Sequence, residues 1–158
     1  MEHDTATLWD IRAIEQAYFR YCDVIDQKIF ERLDEVFLPD AVGDYRSSNG
    51  NLHHGLAPLV ARLNRNMSNG PYSDCGATHH NVFNVRATVD GDSAVSSAHF
   101  YAVHQGLNAY AGKIYACWGQ YDDQWVRTAQ GWRIKYRRYT NFLIDGPVEI
   151  VRGTRAPA

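Results

Sequence analysis

The hydrophobic pattern changes period part-way along the chain, and that change limits what it can fold into. From Ala6 to about Lys28, the residues Leu8, Ile11, Ile14, Tyr18, Cys22 and Ile25 recur at the spacing of an amphipathic helix. Thr5 or Thr7 is placed to cap it. A second short helix is predicted from Ile29 to Phe37, ended by Pro39. A short strand follows over Val42–Arg46, then a polar loop over Ser47–Gly55, a third helix over Leu56–Met67 and a second loop over Ser68–Gly76. Beyond this the chain reads as strands. His79–Val89 and Ser93–Gln105 flank Asp90-Gly91-Asp92, a hairpin turn signal. Tyr110–Arg127 follows, broken by Gly112 and Gly119, and Thr128–Gly131 turns the chain into Trp132–Leu143. In that last strand Trp132, Ile134 and Tyr136 alternate with Arg133, Lys135 and Arg137. Helices first and long antiparallel strands afterwards predict an α+β domain with helices on one sheet face. The tail from Pro147 to Ala158 is expected to be loose at its end.

With 158 residues and no internal repeat or linker, the chain is expected to be a single domain over 1–158. A formal net charge of −2 makes the chain a poor nucleic-acid binder unless its charges segregate. No apolar run is long enough for a transmembrane helix, and the acidic start MEHDTATLWD lacks the apolar stretch of a signal peptide. Cys22, Cys75 and Cys117 are odd in number and widely spaced, which fits a reduced, cytoplasmic protein without a disulfide framework. Four Trp, ten Tyr and six Phe suit either sheet packing or an aromatic-lined pocket.

Asp26 is the most informative residue of the first helix. At about 100° per residue it lies ~80° around the axis from Tyr18, on the apolar stripe. Asp23 falls outside the stripe and reads as a surface acid. A carboxylate on a core-facing stripe must be paired, hydrogen-bonded or protonated, unless Asp26 begins the loop and caps the next helix. His79 and His80 begin a strand, so only one of them enters the interior. His80 on the inner face could act as a base held in its tautomer by a carboxylate, or be a structural core histidine. His53 and His54 lie in the polar loop and read as surface residues. His99 and His104 face opposite ways, so one of them can line a pocket. The histidine spacings give no closed ligand set, and no metal is expected.

Four segments carry a resemblance: YFRYCDVIDQKIFERLDEVFLPDAVGDYRS, GATHHNVFNV, VDGDSA and GQYDDQWVRTAQGWRIKYRR. Together they resemble the SnoaL-like branch of the NTF2-like superfamily, in particular scytalone dehydratase, bile acid 7α-dehydratase and hexachlorocyclohexane dehydrochlorinase. The resemblance implies a cone of three N-terminal helices packed on a strongly curved, mostly antiparallel sheet enclosing a cavity. It implies a catalytic dyad of Asp26 and His80. Tyr45, in the segment Asp44–Ser47, matches the scytalone dehydratase tyrosine that polarises the substrate carbonyl. The Tyr21–Asp26 spacing, with Lys28 two places after the aspartate, is similar to that of bile acid dehydratase. Ile25 stands where scytalone dehydratase has a second tyrosine.

The expected function is that of a cofactor-independent lyase, a dehydratase acting on a small hydrophobic ring compound. Its catalytic residues would be His80, Asp26, Tyr45 and Tyr21, with His99, His104 and Trp118 as substrate-binding candidates. An isomerase or polyketide cyclase could use the same dyad. A non-catalytic module, like the small subunits of dioxygenases, could share the fold. A homo-oligomer, trimer or dimer, is expected through an outer sheet face bearing Tyr110, Tyr115 and Trp118.

Overall fold

The computed structural model describes residues 5–68 and 70–153. Helix α1 runs from Thr5 to Asp26, so the residue capping its start lies outside the described ones. Ile14, Tyr18, Cys22 and Ile25 are buried as the stripe predicts, whereas Leu8 is exposed. The predicted second helix is a short 3-10 turn at Phe30–Glu35, which buries Phe30 and Leu33. The chain is already extended from Phe37, in strand β1 (Phe37–Tyr45), so Pro39 sits inside a strand and does not end a helix. The polar stretch after it is not a loop. It holds a helical turn, α2 (Arg46–Asn49), and a short strand, β2 (Asn51–His54). Helix α3 spans Leu56–Met67, as predicted.

Four long strands follow: β3 (Cys75–Asp90), β4 (Ser93–Gly106), β5 (Ile114–Thr128) and β6 (Gly131–Asp145). A last turn of helix, α4 (Glu149–Arg152), buries Ile150. The expected loose end of the tail falls on residues 154–158, outside the described ones. Gly119 does not break β5. A side chain there would run into the Thr140 carbonyl oxygen and the Phe100 ring, so the strand needs glycine at that point.

The six strands form one sheet in the order β2-β1-β6-β5-β4-β3. All neighbours are antiparallel except β1 and β6, which run parallel. The expected strongly curved, cone-like sheet is corrected here: the sheet is mixed and open, neither closed nor strongly curled. Bulges between Phe83 and Arg86 and between Trp118 and Gly119 bend strands locally, but β2 and β3 remain separate edges. The cavity is therefore roofed by helices laid on one face of the sheet. Tyr18, Phe30, Phe100, Tyr121 and Trp125 form the aromatic core between the layers. The Tyr18 hydroxyl pairs with Ser96 Oγ at 2.8 Å, and Trp125 Nε1 donates to the same oxygen at 2.7 Å. Cys22, Cys75 and Cys117 are buried and free.

Candidate active site

Asp26 is the last residue of α1, where the helix dipole is negative and disfavours a carboxylate. Donors from β3 offset this. His80 donates its backbone N–H to Oδ2 at 2.8 Å, and Thr78 Oγ1 donates to Oδ1 at 2.8 Å. His80 Nδ1 lies 2.7 Å from Oδ1. Burial opposes the charge on Asp26, but the His80 and Thr78 hydrogen bonds outweigh it and hold the carboxyl below its usual value. An ionised carboxylate only accepts, so Nδ1 carries the imidazole proton and Nε2 is the nitrogen left for a ligand. His79, its neighbour, points outward and is exposed.

Lys28 supports this pair from behind. The chain leaves α1 through a left-handed residue, Lys28 at φ 62°. That turn brings Lys28 Nζ to Thr78 Oγ1 at 3.0 Å. With its lone pair occupied by the ammonium, the Thr78 hydroxyl directs its proton to Asp26.

His80 opens onto a cavity of about 120 Å³, lined also by Tyr21, Tyr45, Phe100, His104 and Tyr139. The Tyr21 ring meets His80 edge-on at 6.5 Å, and Tyr45 stacks on Tyr139 at 5.1 Å. Burial raises both the Tyr21 and Tyr45 hydroxyls above the ordinary tyrosine value, so both remain hydrogen-bond donors near neutral pH. His104 lies 5.2 Å from the His80 ring, and its Nδ1 donates to the Tyr115 carbonyl at 3.3 Å. Burial, reinforced by His80, pushes His104 down to about 3. It is neutral near pH 7, with Nε2 as an acceptor.

Asp26, His80, Tyr21, Tyr45 and His104 thus converge. Two other candidates do not. His99 lies on the opposite sheet face, edge-on to Phe83 and Phe142, and Trp118 stacks there on Tyr101 at 4.9 Å. Neither lines the cavity. The strand period explains it: odd residues of β4 and even residues of β5 point outward. Tyr115 is the reverse case, an expected outer-face residue that is buried on the inner face beside His104. His53, read as a surface residue, is partly buried in β2 against the Tyr45 ring.

A SnoaL-like domain model matches residues 6–138. The chain belongs to the SnoaL-like family. An uncharacterised protein of Mycobacterium tuberculosis strain H37Rv is 35% identical over 133 residues, covering 82% of this chain and 83% of that protein. Among solved structures, the Kfla4162 protein from Kribbella flavida is similar with a TM-score of 0.77 and 28% identity, over 90% of this chain and 95% of that one. A hexachlorocyclohexane dehydrochlorinase, LinA-type3 from Novosphingobium barchaimii, shares the fold at a TM-score of 0.74 and 14% identity, over 92% of this chain and 95% of that one.

In this SnoaL-like domain Thr78 and a buried ion pair were not anticipated from the sequence, and Lys28 was marked only by its place two residues after Asp26. Thr78 lies two residues before His80, and the strand period alone puts both on one face. The ion pair joins Arg137 to Asp123 at 2.9 and 2.7 Å, with both side chains fully buried. Arg137 was expected on the polar face, opposite Tyr136. A register shift between Gln124 and Trp125 turns Arg137 inward and leaves Tyr136 outward, donating to Asp44 at 3.0 Å. The guanidinium lies over the Tyr121 and Tyr21 rings at 4.1 and 4.5 Å, behind the cavity wall. Among the described residues no group of three or more His, Cys, Asp or Glu is placed to hold a metal ion.

Proposed function

We propose that this SnoaL-like protein is a cofactor-independent lyase, a dehydratase for a small hydrophobic ring compound carrying a carbonyl and a β-hydroxyl. The observation that carries the reading is the 2.7 Å contact between His80 and Asp26 at the wall of an aromatic cavity. His80 Nε2 takes the proton α to the carbonyl, and the electron pair moves onto the carbonyl oxygen. Asp26 stabilises the imidazolium that forms. Tyr45 and Tyr21 donate hydrogen bonds to the enolate oxygen. As the carbonyl re-forms, the C–O bond to the hydroxyl breaks, and His80 returns its proton so that water leaves. The names of similar folds, a dehydrochlorinase and a candidate scytalone dehydratase from Novosphingobium aromaticivorans, support an elimination.

A positioned base is worth about 10²–10⁴-fold in rate. His80→Ala and Asp26→Asn are therefore each expected to remove most turnover, with non-additive losses in the double variant. Mass spectrometry of hydroxylated ring ketones incubated with the protein is expected to show loss of water. A product of unchanged mass would point to isomerisation or cyclisation. Near-native rates in either variant, at equal folded content, would overturn the mechanism.

A further inference from the structure

The mouth of the cavity carries charge that the elimination chemistry does not use. Arg62 on α3 and Arg152 on α4 line the cavity. Both also line a second concavity of about 780 Å³ outside it, together with Arg46 and Arg65. Among the described residues no acidic side chain lines that groove. Arg46 is already neutralised, because Asp44 accepts from its Nε at 3.0 Å and its Nη2 at 2.8 Å. Arg62, Arg65 and Arg152 make no ion pair among the described residues. Arg62 and Arg65 stand three apart on α3 and so share one helix face.

Three unpaired guanidiniums around one concave surface repel one another, in a chain that carries 18 carboxylate side chains and a net charge of −2. The groove is also joined to the reaction cavity, since Arg62, Arg152 and Ser48 line both. The Arg62 guanidinium sits 6.0 Å from the centre of the Tyr45 ring. An anion held there lies next to the tyrosine assigned to the carbonyl oxygen. Guanidinium forks match the paired oxygens of a carboxylate or a phosphate.

We propose that this groove is an anion subsite, and that the ligand of the cavity is a ring compound bearing a carboxylate or phosphate group that Arg62 and Arg152 hold, with Arg65 beside them. The inference shares with the proposed elimination only the cavity as the place of the ring. Binding tests it without turnover. Fluorescence titrations would use 2-naphthoate, 2-naphthyl phosphate and the uncharged methyl 2-naphthoate, with wild type, Arg62→Gln/Arg152→Gln and His80→Ala. Wild type is expected to bind at least one anion about tenfold more tightly than the ester, and added salt to weaken that preference. The double arginine variant should lose about tenfold in anion affinity, the sum of one half-buried and one exposed contact, while ester binding stays within about twofold. The ranking of the two anions tells carboxylate from phosphate. His80→Ala should retain anion binding, so a failed elimination mechanism leaves this result untouched. Equal affinity for ester and anions, a loss shared by the ester, or no binding of any probe would overturn the subsite.

Discussion

Asp26 keeps its charge at the unfavourable end of a helix because β3 surrounds it with donors. That arrangement has a pH signature. Its carboxyl is held below the ordinary value of 3.8, mainly by His80 and Thr78 against the opposing effect of burial. The stability it contributes is present above the unfolded value and is lost as pH falls through the lower folded one. Urea midpoints of wild type and Asp26→Asn are therefore expected to differ near neutrality and to converge as pH falls below the ordinary carboxylate value. A gap that stays constant through that fall would count against an ionised, hydrogen-bonded Asp26. Tyr45 separates chemistry from packing. Tyr45→Phe keeps the ring that stacks on Tyr139 and loses only the hydroxyl. If that hydroxyl donates to the enolate, kcat and kcat/KM should fall together by about 10–10³-fold, with little change in stability. A pure rise in KM would make Tyr45 a binding residue, and unchanged kinetics would remove it from the site. Both residues were legible from the chain, Asp26 by its place on an apolar stripe and Tyr45 by resemblance. Lys28 was marked by resemblance too, but its reach to Thr78 was not legible, because it depends on a left-handed backbone turn that no residue pattern announces.

Elements were readable where a pattern is local and hidden where a distant partner decides. The stripe of α1 and the Asp90-Gly91-Asp92 turn encode themselves, and both appear where expected. The β1–β6 parallel pairing joins residues 37–44 to 134–138, and nothing short-range in either segment specifies it. The same holds for the shift that turns Arg137 inward, since a bulge inverts every later side chain relative to simple alternation. This buried pair has a measurable weight. Burial alone would favour loss of the Arg137 charge, and the facing Asp123 carboxylate overrides it. Arg137→Met leaves the buried Asp123 carboxylate without a counter-charge and is expected to cost about 3–5 kcal/mol in urea unfolding. Arg137→Met/Asp123→Leu should recover much of that, because an apolar pair leaves no buried charge. A cost below about 1 kcal/mol for the single variant would show that water or a neighbour compensates Asp123.

At the scale of the whole molecule, the helices cover one sheet face and leave the other bare. On the bare face Phe83, Phe142 and Leu143 are exposed, Phe142 by 64%, beside the stacked pair Tyr101 and Trp118. A patch of this kind usually marks a contact surface. The protein is expected to form a homo-oligomer through it, measured by light scattering at micromolar concentration, and Trp118→Lys/Leu143→Glu should shift it toward monomer. A wild-type monomer across that range would contradict the assignment. The open sheet also leaves β3 as an edge, a place where unpaired backbone groups invite another chain to add a strand. At His80 the outward-facing amide is already taken, because it donates to Asp26. The proposed catalytic carboxylate thus doubles as a guard on the sheet's margin. Loss of this carboxylate would leave one more backbone amide unpaired on the β3 margin, a cost in solubility separate from any effect on the proposed chemistry.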